Sequence, residues 1–367
     1  MGYSYSTRRS SSVKNKTQNK KKILFVLAAV ASLAACSKSE VEYTQPGEIG
    51  LVPVTQNITK AMVETTTFPT ENFSLWAYYK PLAAGTTIAD WQDNTDRQQE
   101  YIANKEFTSE GRSSGKWGGV VPYFWPKVGS LMFVGYYPSS ADVSYVFDGT
   151  NNVMTISDYT PGMVSEATTH TEDLMYFNMT PASYSGNDVP VTFRHALSWI
   201  TVILVKSSET PDAATIKVNS VAFTGVEPTG TGTVNNSPDT SAEPAETNEI
   251  SWVTSGTAAT EGIVVTEATG HTIIKENTTP LVKQPLFIPQ TMDGNLVVNY
   301  TISSTDNSSF TENKIIPLNT MKSGETTLSK WEPAKHYIYT ITIGTEEILV
   351  APQVEGWSPV PVAVPIQ

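Results

Sequence analysis

The sequence of 367 residues is poor in the residues that build catalytic centres: it holds one cysteine and four histidines, and only 16% of its residues are charged. A single cysteine excludes a disulfide framework and a thiolate cluster for zinc or iron–sulfur. The charged fraction is well below the roughly 25% typical of soluble domains. The histidines lie far apart along the chain. We therefore expect no enzyme, no cofactor and no metal site.

Long apolar runs are also scarce, and the longest one lies near the start of the chain. A basic segment without acidic residues precedes Ile23–Ala35, an apolar run of 13 residues. A membrane-spanning helix needs about 20 such residues, so this pattern predicts a signal peptide over residues 1–35. The run ends in Leu33-Ala34-Ala35 before Cys36, which resembles the lipobox of bacterial lipoproteins. We expect Cys36 to carry diacylglycerol and fatty acyl chains such as palmitate. The alternative is ordinary Ala-x-Ala cleavage beside a chance cysteine.

Without this leader the chain is strongly acidic. Seven of the 24 basic residues and none of the 36 acidic residues lie in the leader, so the mature charge is 17 − 36, or −19. A basic surface for nucleic acid is therefore not expected.

The rest of the sequence reads as short strands separated by turns. Three runs are rich in β-branched and aromatic residues, and two later ones alternate apolar and polar residues with period two: Phe73–Tyr78, Leu131–Tyr137, Thr201–Val205, Leu296–Ser303 and Tyr337–Ile343. Many short strands with turn residues between them predict an all-β fold built from sandwiches. By contrast, residues 227–249 contain no aromatic residue and one large aliphatic residue, which predicts a long loop.

Several motifs, in their order along the chain, resemble one known family. They are Asn57-Ile58-Thr59-Lys60-Ala61, Tyr123-Phe124-Trp125-Pro126, Val191-Thr192-Phe193-Arg194-His195-Ala196-Leu197, Pro285-Leu286-Phe287-Ile288-Pro289-Gln290 and the segment from Trp331 to Ile341. Together with the lipobox, this set resembles the fimbrillin family of the Bacteroidetes, the pilins of type V pili with their FimA-like and Mfa-like groups. Ala334 stands where that family usually has glycine.

The resemblance implies two transthyretin-like β-sandwich domains in tandem after a lipoprotein signal peptide. The expected divisions are a propeptide with a removable first strand over residues 36–60, an N-terminal sandwich over 61–190, a C-terminal sandwich over 191–357 and a tail over 358–367. The family's members reach the outer membrane as lipoproteins and mature into cell-surface fimbriae. A trypsin-like surface protease removes the first strand, and a neighbouring subunit's strand fills the groove.

Two segments are candidates for these steps. The removable strand would be Ile49–Val54, and the bond between Lys60 and Ala61 would be the cleavage site. Cleavage after Lys38, the only other basic residue between Cys36 and Lys60, would leave that strand in place. Residue type alone favours an ordinary surface lysine at Lys60, and relatives usually carry arginine there.

The spare strand would be the tail. Val360, Val362, Val364 and Ile366 share one face at period two, whereas Pro359, Pro361 and Pro365 have the opposite parity. Such a strand keeps its backbone donors along one edge and loses three along the other, a pattern suited to strand addition. Burying the four branched side chains contributes roughly 6–12 kcal/mol as an upper bound. A polyproline tail, or a strand folded onto its own domain, is the competing interpretation.

The resemblance therefore implies a stalk subunit that assembles with other pilin subunits and contributes to adhesion, with host or bacterial surface receptors as further partners. A tip or anchor pilin of the same family is one alternative. A monomeric glycan-binding surface lipoprotein is another, and it would use aromatic residues such as Trp91, Trp117 and Trp252. Core or turn packing is the simpler expectation for these three rings.

Overall fold

The structure is a computed structural model, and it describes residues 47–55, 68, 71–81, 91, 99–112, 116–147, 152–164, 173–235, 250–258, 262–266, 270–281, 283–345 and 348–357. The predicted signal peptide, Cys36, Lys60, Ala61 and the tail from residue 358 lie outside these ranges. Within them the chain forms 23 strands and one short 3-10 helix, so the all-β prediction is confirmed. No helix in these ranges is long and apolar enough to cross a bilayer.

The strands of the first half of the chain are β1 (Leu51–Thr55), β2 (Phe73–Lys80), β3 (Gln99–Arg112), β4 (Lys116–Gly119), β5 (Ser130–Tyr137), β6 (Val143–Phe147), β7 (Asn152–Tyr159), β8 (Met163–Val164), β9 (Met175–Ala182), β10 (Val189–His195) and β11 (Ser198–Lys206).

The strands of the second half are β12 (Thr215–Thr224), β13 (Thr229–Asn235), β14 (Ser251–Ser255), β15 (Ile263–Val264), β16 (His271–Thr272), β17 (Gln284–Phe287), β18 (Asn295–Ser303), β19 (Ser309–Pro317), β20 (Lys322–Ser323), β21 (Thr326–Thr327), β22 (Lys335–Ile343) and β23 (Ile348–Gly356). The 3-10 helix, Leu318–Thr320, follows β19.

Seven strands close into a barrel-like sheet in the order β1-β10-β9-β5-β2-β3-β4. Its interior is filled by a cluster of buried apolar residues from these strands, among them Phe73, Phe107, Phe133, Phe177 and Phe193. The closed sheet was not predicted, because periodicity along the chain does not show that β1 pairs with both β10 and β4.

A second layer covers one outer face of this barrel. The sheet β14-β13-β7-β6 shares an apolar cluster with the outward side chains of β2 and β5, such as Trp76, Met132 and Val134. Strands β2 and β5 are therefore buried on both faces, with all eight residues of β5 buried. Burial on both faces explains why these two strands appear in the sequence as continuous apolar runs rather than as an alternation.

A β-sandwich accounts for most of the second half of the chain. The sheets β23-β22-β11-β17-β8 and β15-β12-β18-β19 supply one common core, to which Val202 of β11, Phe223 of β12, Val298 of β18 and Tyr339 of β22 all contribute. The alternation predicted for β18 and β22 is confirmed: apolar residues of one parity are buried and their neighbours are more exposed.

The loop predicted over residues 227–249 was wrong for residues 229–235, which form β13 and pair with both β7 and β14. Its glycines replace the missing apolar side chains by allowing close approach. A Cβ on Gly232 would lie 2.7 Å from Ile250 Cδ1 and 3.0 Å from the Trp252 ring. Neighbouring strands therefore supply the apolar surface that β13 lacks.

The pairing of β7 with β13 joins segments from both sides of residue 190 in one sheet. Strand β8 likewise pairs with β17 at Gln284 and Pro285. The domain boundary expected between residues 190 and 191 stays a prediction.

Two valines on neighbouring strands test the placement of β13. Val234 of β13 is fully buried, whereas Val253 of β14 is 74% exposed. We expect Val234→Ala to lower the free energy of unfolding by about 1–3 kcal/mol, because it leaves a cavity in the core. Val253→Ala should change it by less than about 0.5 kcal/mol. Urea unfolding of both variants measures the difference, and equal effects would contradict the placement.

Candidate functional site

The first strand closes the barrel. Strand β1 runs parallel to β10 over its whole length, from Leu51 opposite Val189 to Thr55 opposite Phe193. On its other side it pairs antiparallel with β4, where Leu51 lies opposite Trp117. In the described sheet order, β1 is the strand that connects β10 to β4. Without it the sheet would be open between these two strands.

Alternate residues of the β1 segment face the barrel interior. Ile49 and Leu51 are 0% and 1% exposed and belong to the interior cluster. Val52, the residue after Leu51, is 45% exposed. Pro53 and Thr55 are also buried. Burying Ile49 and Leu51 contributes roughly 3–6 kcal/mol as an upper bound. The strand is thus an integral part of the core. Most of the segment expected as a first strand lies in β1, and its removal stays a prediction.

The residues just before β1 extend this attachment. The Ile49 N–H donates to the Tyr123 carbonyl at 2.7 Å, and the Trp125 N–H donates to the Gly47 carbonyl at 3.0 Å. Tyr123 and Trp125 belong to the segment that the sequence motif Tyr-Phe-Trp-Pro marks. This motif therefore forms part of the seat for the first strand.

Charged side chains hold the outer face of the same segment. The Arg112 guanidinium hydrogen-bonds Asp188 and lies 3.8 Å from the Glu48 carboxylate, and Lys116 Nζ lies 3.1 Å from Asp188. Gly50 passes directly beneath this group, and a Cβ there would overlap the Arg112 guanidinium and the Asp188 carboxylate. Only glycine lets the chain run this close. We call Glu48, Arg112, Lys116 and Asp188 the charged clasp.

The clasp also sets the ionisation of Asp188. Burial raises the pKa of its carboxyl, but the hydrogen bonds and charges of Lys116 and Arg112 outweigh burial, so the pKa lies below its ordinary value. Asp188 is therefore ionised at neutral pH. It lies immediately before β10, so the clasp ties the start of β10 to the end of β3 and the start of β4.

The described chain ends at Trp357, which is buried in a stack of rings. Its indole packs face to face on the His195 imidazole, with centroids 4.2 Å apart and planes 6° apart, and it also contacts Trp199. Trp199 in turn stacks on His336 at 3.9 Å. The Trp357 N–H donates to the Ala334 carbonyl at 3.1 Å. The point from which the predicted tail departs is therefore fixed at the end of β10.

Each histidine of this stack also hydrogen-bonds a carboxylate. His195 Nδ1 lies 2.5 Å from Asp173 Oδ2, and both side chains are buried. His336 Nδ1 lies 3.0 Å from Glu355 Oε1. Burial lowers the pKa of His336, and the charge of Glu355 opposes this change. The histidines thus serve packing in the fold, and the described residues contain no group of three His, Cys, Asp or Glu side chains that could hold a metal ion.

The structure locates some predicted site residues and leaves others outside its described ranges. Cys36, Lys60, Ala61, Val360, Val362, Val364 and Ile366 belong to the second group. The strand that is expected to be removable is described as β1, together with the last residue before the tail. Sequence reasoning missed the charged clasp and the ring stack, since both join residues far apart in the chain. Gly50 between apolar residues was the available signal of a close approach.

The three tryptophans considered for glycan stacking take part in packing. Trp91 is fully buried. Trp117 is half-buried with its ring against Phe68 and Phe73, at centroid distances of 5.4 and 5.0 Å. The Trp252 indole N–H donates to the Ala196 carbonyl at 2.9 Å. These contacts favour the interpretation of all three as structural residues.

Comparison with known proteins places the chain in a family. The family described as fimbrillin-like matches residues 59–357, so the chain belongs to the fimbrillin-like proteins. No curated protein matches the sequence. The resemblance found in the sequence motifs is thereby confirmed at the level of the family.

Solved structures resemble the chain at low sequence identity, and one of them, with a TM-score of 0.50, shares its fold. A fimbrial protein from Bacteroides vulgatus is 18% identical with a TM-score of 0.50, and the match covers 85% of this chain and 99% of that one. A candidate cell adhesion protein from Bacteroides uniformis is 16% identical with a TM-score of 0.48, covering 85% and 98% of the two chains.

Gly50→Ala tests how β1 is held. The added methyl group would separate Arg112 from Asp188 or push β1 away from β10. We expect the free energy of unfolding to fall by about 1–3 kcal/mol, with a lower melting temperature by circular dichroism. Gly47→Ala is the matched control, because its Cβ would meet only the movable edge of the Tyr184 ring at 3.0 Å. Equal melting temperatures for the two variants would contradict the close packing of Gly50 against the charged clasp.

Proposed function

We propose that this chain is a subunit of a cell-surface fimbrium that polymerises by protease-triggered strand exchange. The observation that carries the proposal is that β1 both completes the barrel and precedes residue 60 in the chain. Cleavage of the single peptide bond after residue 60 would turn this internal strand into a separate peptide. Family membership supports the same role.

Cleavage between Lys60 and Ala61 would leave β1 held only by noncovalent contacts. Strand β1 ends at Thr55 and β2 begins at Phe73, so the bond lies in the connection between them and outside both strands. The released peptide would carry Cys36 and its lipid away with β1. Maturation would then free the subunit from the outer membrane in the same step that opens its barrel.

An opened barrel would not persist alone. Loss of β1 exposes the interior around Phe73 and Phe193 together with the unpaired edge of β10. Exposed apolar surface and an unpaired strand edge both drive association. The opened subunit therefore requires a replacement strand, which makes cleavage a trigger for assembly.

The replacement would be a neighbour's tail, residues 358–367. It would leave its own subunit at Trp357, which the ring stack holds in place. Val360, Val362, Val364 and Ile366 would supply the apolar side chains, as Ile49 and Leu51 do in β1. Self-assembly would thus use a trypsin-like surface protease and other pilin subunits as partners, and the finished fimbrium would adhere to host or bacterial surfaces.

Cleavage is tested with two lysine variants. We expect limited trypsin digestion of the precursor to produce a new N-terminus at Ala61, identified by mass spectrometry, followed by oligomers on a sizing column. Lys60→Ala should abolish both products, whereas Lys38→Ala, which alters the other basic residue of the segment, should preserve them. An intact Lys60–Ala61 bond in a fully digested sample, or cleaved protein that stays monomeric, would contradict the proposal.

The tail is tested by deletion. We expect a cleaved subunit that lacks residues 358–367 to form no filaments under electron microscopy, because no strand remains to fill the neighbouring groove. A full-length subunit with Val362→Ala makes a smaller change in the same tail. It should still form filaments, and these should dissociate faster than filaments of the unaltered subunit. Unchanged filaments after the deletion would exclude the stalk role and favour a tip or anchor subunit.

A further inference from the structure

Removal of β1 would uncover a defined backbone edge on β10. The Val189 N–H donates to the Gly50 carbonyl at 2.9 Å, and the parallel register continues with Val191 opposite Pro53 and Phe193 opposite Thr55. In a strand, residues of one parity direct N–H and C=O to the same edge. Val189, Val191 and Phe193 therefore offer three donors and three acceptors to whichever strand lies beside them.

Residues of only one parity in the tail can form the full set of backbone hydrogen bonds with this edge of β10. Pro359, Pro361 and Pro365 have no N–H, and they share one parity, opposite to that of the valines. If the prolines faced β10, the tail would have no N–H groups to donate to the β10 carbonyl oxygens at those positions. The N–H groups of Val360, Val362 and Val364 must therefore be the ones that face β10.

The direction of the tail decides which side chains then enter the barrel. In β1 the inward residue Ile49 directs its N–H away from β10, toward the Tyr123 carbonyl, whereas the Gly50 carbonyl bonds β10. A tail that runs in the direction of β1 would repeat this relation. Its valines, bonded to β10, would point outward, and its prolines and Ala363 would point into the barrel. In an antiparallel pair, hydrogen-bonded residues lie directly opposite each other with their side chains on one face. In a reversed tail, the valines bonded to the buried Val189, Val191 and Phe193 would therefore point inward.

Burial distinguishes the two directions. The interior positions vacated by Ile49 and Leu51 are 0% and 1% exposed, and branched aliphatic side chains of similar size can refill them. Ala363 and the prolines would fill less of this space and leave cavities, which are costly in a close-packed core. Buried Pro53 in β1 shows that the interior accepts a proline, but Ile49 and Leu51 accompany it there.

We propose that the incoming tail runs antiparallel to β10, opposite in direction to β1, with Val360, Val362, Val364 and Ile366 inside the barrel. This inference rests on the proposed strand exchange and adds its geometry. The edge of β10 that β1 vacates would thus bind a peptide with a branched aliphatic residue at every second position. The prolines of that peptide would lie along its other edge. The exchange replaces a parallel pairing with an antiparallel one, in which the hydrogen bonds are perpendicular to the strands and slightly more stable per residue.

Disulfide trapping between two subunits tests the direction. The acceptor is the cleaved subunit that lacks residues 358–367 and carries Pro190→Cys, an exposed and outward position on β10. Cleavage removes Cys36, the only native cysteine, so no other thiol competes. The donor is the uncleaved subunit with Cys36→Ser and one tail cysteine, at Pro361 or Pro365. Its own barrel stays closed, so the product is a single pair.

For an antiparallel tail, we expect Pro365→Cys to link to Pro190→Cys at least tenfold faster than Pro361→Cys, because only the former lies at the start of β10. An acceptor with Arg194→Cys at the other end of β10 should show the opposite preference. Disulfides require Cα atoms within about 7 Å, so the pattern reports register. The uncleaved acceptor is the control and should form no link.

The alternatives produce different patterns. Two further donors carry Val360→Cys or Val364→Cys. Faster linkage of Val360→Cys to Pro190→Cys and of Val364→Cys to Arg194→Cys would show a parallel tail, as would faster linkage of Pro361→Cys to Pro190→Cys and of Pro365→Cys to Arg194→Cys. Either pattern would overturn the proposed direction, while strand exchange itself would stand. Tail-dependent pairs without any positional preference would also overturn it. If sizing shows no pair between cleaved acceptor and donor, strand exchange fails, and the proposed direction fails with it.

Discussion

The parallel pairing of β1 with β10 is the interaction on which the N-terminal half of the fold depends. It closes the seven-stranded sheet, and it places Ile49 and Leu51 in the aromatic interior. The same strand belongs to the segment that precedes Lys60. In the proposed strand exchange, the same few residues would set both the stability of the precursor and the readiness of the cleaved subunit to assemble.

Two kinds of contact hold this strand, and they differ in character. The apolar contacts and the β10 ladder are generic, since any strand with alternating apolar residues and free N–H groups can form them. The charged clasp around Gly50 is particular to β1, because it needs a residue without a side chain beside Arg112 and Asp188. In the proposed exchange, an incoming tail would reproduce the first kind of contact without the second. The groove left by β1 would therefore accept a strand of different sequence.

The sequence predicted the strands better than their partners. Runs such as Phe73–Tyr78 identified β2 because burial on both faces leaves a continuous apolar segment, and the alternation of β18 and β22 follows from burial on one face. Closure of the barrel and the pairing of β7 with β13 depend on contacts between distant segments, which periodicity does not contain. Residues 229–235 were mistaken for a loop, since their apolar contacts come from Ile250 and Trp252.

Amide hydrogen exchange at Val189, Val191 and Phe193 tests the central claim most directly. In the precursor these N–H groups face β1, and we predict strong protection. After cleavage at Lys60 and removal of the β1 peptide, exchange should accelerate by at least a hundredfold, and a synthetic peptide of residues 358–367 should restore protection. Protection that survives the removal of β1, or that the peptide does not restore, would contradict the account.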